Sequence, residues 1–161
     1  MKPLAGDNVE SAIVKFSVEN GDLNGARINF EKIGDPELKK KAEGWIWTTE
    51  RDILRQDVGK DPAGTMQSIV SGQSNYGDYW IEEAMSTWVA KDFDKAQEWY
   101  KKNWNSMPAN KSQYLAAAFA KQAAGEGDVA TAREWAAHIQ DAKTKQRIEA
   151  GISEAEGRKT Q

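Results

Sequence analysis

Cysteine is absent from the 161-residue chain, histidine occurs once and proline four times. Without cysteine there is no disulfide framework, no thiolate zinc site and no cysteine nucleophile. A chain with no thiols suits oxidising and reducing surroundings equally, so the compartment stays unassigned. No stretch approaches the ~20 apolar residues that a membrane-spanning helix needs. The opening Met-Lys-Pro-Leu-Ala-Gly-Asp-Asn has neither an apolar core nor a small-residue cleavage site, so no signal peptide is expected. An excess of either charge is also missing. The first eighty residues carry 10 basic and 13 acidic side chains and the remainder 12 of each. The basic runs Lys39-Lys40-Lys41 and Lys101-Lys102 are interleaved with acids. They read as solvated helix faces rather than a phosphate-binding stripe, so no nucleic-acid partner is expected. Against these absences stand seven tryptophans, with 39% hydrophobic and 29% charged residues, the composition of a soluble globular chain.

Alternating apolar and polar runs do not persist, whereas helical spacing recurs throughout. Examples are Ala26/Phe30/Ile33, Ile81/Ala84/Met85/Trp88 and Ala132/Trp135/Ala136/Ile139. Asp35-Pro36 and Asp61-Pro62 read as an N-cap followed by proline at the first helical position, where its missing N–H costs nothing. Asp7 with Glu10, and Asp94 with Gln97, resemble capping boxes. Helices are expected at about 8–20, 23–33, 36–55, 62–72, 77–91, 94–104, 112–124, 129–140 and 143–157.

Turns are expected at a near-constant interval. Asp22-Leu23, Asp57-Val58, Asp92-Phe93 and Asp128-Val129 are separated by 35, 35 and 36 residues. Ala26, Ala96 and Ala132 follow at one offset, and Trp45 and Trp80 lie upstream, also 35 apart. A constant interval over four units is the signature of stacked helix–turn–helix repeats. Each pair exposes an apolar face that it buries by stacking on its neighbour. Trp80, Ala84, Lys91-Asp92-Phe93, Ala96, Tyr100 and Pro108 resemble the tetratricopeptide repeat at that family's spacing. Gly21-Asp22-Leu23 with Ala26 and Phe30, and Gly127-Asp128-Val129 with Ala132, resemble it in part. Thr48-Thr49 and Glu83-Ala84 stand where that family has Leu-Gly.

The resemblance implies an all-α, right-handed solenoid forming a single domain over 1–161. Its units would fall at about 8–34, 35–72, 76–105 and 110–140, with a capping helix at 143–157. It implies that each first helix lines a concave groove. The groove positions carried over are Ser11, Lys15 and Val18; Ile46, Glu50 and Ile53; Ile81, Met85 and Trp88; Tyr114, Ala117 and Lys121. The expected partner-binding set is Ile46, Glu50, Ile53, Ile81, Met85, Trp88, Tyr114 and Lys121, the alternative being that these side chains are core between stacked helices. An adaptable Met beside a Trp suits an apolar peptide or helix.

Other motifs point to chemistry less well. Asn20-Gly21-Asp22-Leu23-Asn24-Gly25 with Glu31 approximates a calcium loop, but Asn20 replaces the first Asp and Arg27 would repel the ion. Gly125-Glu126-Gly127-Asp128 mimics a dinucleotide fingerprint, yet it follows a helical segment rather than a strand. His138 lacks a nucleophile in a strained elbow and is expected to edge a packed face beside Trp135 and Ile139. Glu82-Glu83 and Glu154/Glu156 are carboxylate pairs of a kind common on helix surfaces. Asn110-Lys111-Ser112 is a glycosylation sequon, meaningful only in a eukaryotic secreted chain. No metal, cofactor or catalytic residue is therefore expected. The reading is a non-catalytic scaffold that binds a protein or peptide. Its rivals are an accessory superhelical domain of a larger enzyme, such as a bacterial cell-wall lytic enzyme, and self-association through an uncapped end of the stack.

Overall fold

The computed structural model describes residues 5–159, which are helical with no strand among them. The helices are α1 (Ala5–Glu19), α2 (Leu23–Phe30), α3 (Pro36–Lys60), α4 (Pro62–Ser71), α5 (Ile81–Lys91), α6 (Phe93–Asn103), α7 (Ala109–Gly125), α8 (Val129–Ala136) and α9 (Ala142–Lys159). Short 3-10 turns cover Asp78–Trp80 and Trp104–Ser106. None of these helices is long and apolar enough to cross a membrane. The chain divides into two compact units, Met1–Leu54 and Arg55–Gln161.

Aspartates start the second helix of each pair, and they do so through two kinds of turn. At Gly21-Asp22 and Gly127-Asp128 the glycine takes φ of 73° and 78°, a left-handed conformation that closes the preceding helix. The Asp amides then bond back to Ser17 O and Ala123 O, each at 2.8 Å. The Asp22 and Asp128 carboxylates accept from the Gly25 and Thr131 amides at 2.8 and 3.1 Å. At Lys60-Asp61 and Lys91-Asp92 no glycine precedes, and the aspartate alone ends one helix and caps the next. Their amides bond to Asp57 O and Trp88 O at 2.9 and 2.8 Å. Their carboxylates accept from the Gly64 and Lys95 amides at 3.0 and 3.2 Å.

The expected turn at Asp57-Val58 is not formed. α3 continues one further turn to Lys60, because Pro62 forces the break immediately before it and supplies a ready first residue for α4. Val58 is fully buried, and the Asp57 carboxylate accepts from the Tyr76 hydroxyl at 2.9 Å. The expected capping boxes are also absent. Asp94 lies inside α6, and Asp7 is buried within α1, where it accepts from the Gly34 amide at 2.7 Å.

In the first unit the core joins Val14 and Val18 of α1, Ala26 of α2, Ile33, and Ala42 and Ile46 of α3, with Leu23, Phe30, Leu38 and Trp45 at its edge. In the second unit one core cluster joins the alanine-rich α7 to Ala132 and Ala136 of α8, Ile139, and Ile148, Ile152 and Ala155 of α9. Helix α5 also packs on α7. Trp99 meets Trp88 at 5.9 Å, Trp135 stacks on Phe119 at 4.4 Å, and Trp80 is buried.

Candidate interaction surface

The two three-helix segments α1–α3 and α7–α9 match at a constant offset of 106 residues, the distance from Asp22 to Asp128. Gly21-Asp22, Ala26-Arg27, Ile33, Asp35, Lys39, Glu43, Ile46 and Glu50 recur as Gly127-Asp128, Ala132-Arg133, Ile139, Asp141, Lys145, Glu149, Ile152 and Glu156. The interactions recur with them. Arg27 pairs with Glu50, and Arg133 pairs with Glu156 at 2.7 Å. Asp35 caps α3 through the Leu38 amide at 2.9 Å, and Asp141 caps α9 through the Thr144 amide at 2.7 Å. The Thr144 hydrogen bonds hold the Asp141 carboxyl below its ordinary range. Asp7 and Gln113, also equivalent, each accept from a backbone amide just before the third helix, those of Gly34 and Asp141.

One face does not match. On α7, Leu115, Ala118 and Phe119 are at most 1% exposed. Phe119 is enclosed by Trp135 stacked at 4.4 Å and by Tyr100 and Phe93 edge-on at 5.4 and 5.7 Å. The Tyr100 hydroxyl is buried there without a hydrogen-bond partner, and desolvation pushes its pKa far up. On α1 the equivalent positions are Val9, Ala12 and Ile13, with Phe16 one turn on. Val9 is 57% exposed, Ile13 39% and Phe16 67%; Ala12 is exposed as well. Spacing of three and four residues sets all four on one stripe of the helix. Ile28 of α2 is also exposed. The charged neighbours Lys15 and Glu19 pair with each other at 3.7 Å, while Glu10, next to Val9 in the chain, has one buried carboxylate oxygen without a hydrogen-bond partner.

The residues expected to bind a partner are placed elsewhere. Ile81 and Met85 are fully buried and Trp88 nearly so, which makes them core of the second unit and leaves them no surface to offer. In the same unit Tyr114 is half-buried, and Lys121 is exposed with its ammonium 3.3 Å from Glu82. In the first unit Ile46 belongs to the core cluster, Ile53 is half-buried, and Glu50 is buried against Arg27.

The remaining motifs have structural work. Asp22 of the calcium-like loop caps α2, the Asn20 amide donates to Phe16 O at 2.8 Å, and Glu31 reaches Lys39 at 3.6 Å. Among the described residues no group of three or more His, Cys, Asp or Glu is placed to hold a metal ion. Glu82 accepts two hydrogen bonds from Arg147, at 3.0 and 2.5 Å, and so ties α5 to α9, while Glu83 pairs with Arg55 at 2.5 Å. Gly125 ends α7, and Glu126, Gly127 and Asp128 form the α7–α8 turn. His138 is exposed at the rim of the aromatic cluster, 5.5 Å from Trp104 and 6.1 Å from Trp135. A cleft of about 420 Å³ beside α8 and α9 is lined by Arg133, Lys145, Glu149 and Ile152, with Arg133 already paired to Glu156.

Sequence reasoning overlooked the α1 stripe because its apolar residues read as ordinary helix periodicity. The available signal was the 106-residue register, which sets Val9 and Ile13 against the buried Leu115 and Phe119. No protein-family model matches the chain, and neither a curated protein nor a solved structure matches it.

Proposed function

We propose that the chain is a non-catalytic helical-repeat module, similar to tetratricopeptide-repeat proteins, that binds another protein. In this reading α1–α2, α3–α4, α5–α6 and α7–α8 are its four units and α9 is the cap. The observation that carries it is the apolar face of α1, exposed although the equivalent face of α7 is packed against α5 and α6. Fully burying a side chain such as Val, Ile or Phe contributes about 1.5–3 kcal/mol, so such a face gains by being covered. The binding surface in this proposal is therefore the outer face of α1, not the buried Ile81, Met85 and Trp88.

The test is affinity capture with two baits, the wild-type chain and an Ile13→Glu/Phe16→Glu variant whose helicity is checked by circular dichroism. Both positions are solvent-exposed, so the variant is expected to fold. A partner retained by the first bait and lost from the second supports the proposal. Equal retention by both refutes it.

A further inference from the structure

We propose that the cleft between the end of α8 and the face of α9 docks a peptide segment of a partner protein that presents an aromatic side chain next to a carboxylate, Phe-Glu in its simplest form. The site lies in the second unit and does not rest on the α1 face.

The first segment holds the same site already filled. Arg133, Lys145, Glu149 and Ile152 line the cleft, and at the 106-residue offset they match Arg27, Lys39, Glu43 and Ile46. The remaining walls are Ala136, Ala137 and Ser153, where the first segment has Phe30, Glu31 and Trp47. Backbone hydrogen bonds agree across these positions. The Glu31 and Ala137 amides donate to Arg27 O and Arg133 O at 3.3 and 3.1 Å. Those of Ile33 and Ile139 donate to Phe30 O and Ala136 O, both at 3.1 Å, and those of Lys39 and Lys145 to Asp35 O and Asp141 O, both at 2.9 Å. A matched backbone carrying three smaller side chains leaves open space, and the cleft of about 420 Å³ lies there.

What fills that space in the first segment defines its chemistry. Phe30 packs at the edge of the core that includes Ile46, and the Lys39 ammonium lies over its ring, 4.9 Å from the centroid. The Glu31 carboxylate is 3.6 Å from the same ammonium. One lysine thus takes both a ring and a carboxylate from adjacent residues. In the second segment the lysine is kept and both of its partners are lost. Lys145 has no ion pair or side-chain hydrogen bond among the described residues, while Arg133 is held by Glu156 at 2.7 Å. Ala136 and Ile152, both buried, supply an apolar floor for a ring. Glu149 does not forbid an incoming carboxylate, since Lys39 and Glu31 pair with Glu43 at the matching position. Ala137, Glu149 and Ser153 are exposed, so the cleft is open along its rim. A small-molecule site encloses most of its ligand, whereas an open cleft suits a chain that lends two neighbouring side chains.

The test is a titration of the isotope-labelled full chain, followed by amide NMR, with the capped peptide acetyl-Asn-Phe-Glu-Lys-amide, which copies residues 29–32. Saturable shifts are expected at Ala137, Lys145 and Ser153, with a dissociation constant of about 0.1–1 mM, as suits so small a contact. Changing the peptide's Phe to Ala or its Glu to Gln is expected to weaken binding at least ~10-fold, as is Lys145→Gln in the protein. Lys39→Gln is expected to leave it unchanged. Ala136→Phe/Ala137→Glu restores the side chains of the first segment and is expected to abolish binding. Ala137→Glu alone, at an exposed position that does not burden the fold, is expected to weaken it at least ~10-fold by occupying Lys145.

No shifts up to about 5 mM peptide, shifts confined to other residues, or binding that survives Lys145→Gln each overturns the inference. So does 3-phenylpropionate binding as tightly as the peptide, which would make the cleft a small-molecule site. These outcomes leave the proposed function standing, because that reading is tested by capture through Ile13 and Phe16.

Discussion

Segments α1–α3 and α7–α9 are built from the same instructions and end in different surroundings. Both start their second helix with Gly-Asp, pack an alanine at the same offset, and link the second helix to the third by an Arg–Glu pair. They differ in what surrounds those features. Glu50 is 5% exposed in its side chain while Glu156 is 48% exposed. Phe119 is enclosed by rings while its counterpart Ile13 faces solvent. Local capping and turn chemistry thus repeat without regard to context, whereas the contribution of each side chain depends on what covers it.

The largest contrast is expected at the unmatched face. Phe119→Ala should destabilise the chain by about 3–5 kcal/mol through transfer and cavity terms, whereas Ile13→Ala should cost well under ~1 kcal/mol in the monomer. Urea unfolding midpoints measure both, and equal losses would mean that the α1 face is covered after all. Next comes the ion pair. Arg27→Met strands the buried Glu50 carboxylate and should cost ~3 kcal/mol, while Arg133→Met, at an exposed pair, should cost below ~1 kcal/mol. A third comparison should show no contrast. Gly21→Ala and Gly127→Ala, at matched positive φ, should each cost about 1–2 kcal/mol. A large difference between them would break the equivalence of the two turns.

The smallest effect is pH-dependent and confined to the covered face. Burial raises the Tyr100 pKa above the ordinary ~10 that the unfolded chain retains. Below that value both states hold the proton and Tyr100 adds no slope. As pH rises past ~10 the unfolded state releases its proton first, so the folded state loses stability. Tyr100→Phe removes an unpartnered hydroxyl and should flatten this share of the alkaline decline in unfolding midpoint.

Much of this fold is readable in the sequence, where its signals are local. Asp22, Asp35, Asp61, Asp92 and Asp128 all cap helices, since a short carboxylate before a helical stretch has one efficient use. A regular 35-residue interval is less reliable than such a signal. It places a turn at Asp57, but proline chemistry at Pro62 keeps α3 helical to Lys60. The interaction surface is harder to read, because periodicity shows that a helix has an apolar face without showing what covers it. Met85 and Trp88 on α5 and Ile13 and Phe16 on α1 have the same spacing character, yet the first two are enclosed and the last two exposed. That distinction is set by neighbours far along the chain.

The single-residue joint at Asp92 carries a mechanical consequence. With one residue closing α5 and opening α6, there is no slack to absorb a change in length. One inserted residue would turn α6 by about 100° about its own axis, since a helix makes one turn per ~3.6 residues. Ala96 and Tyr100 would swing out of the core like a gear advanced by one tooth. Homologous chains should therefore tolerate length changes in the 72–80 connection far more readily than at this joint.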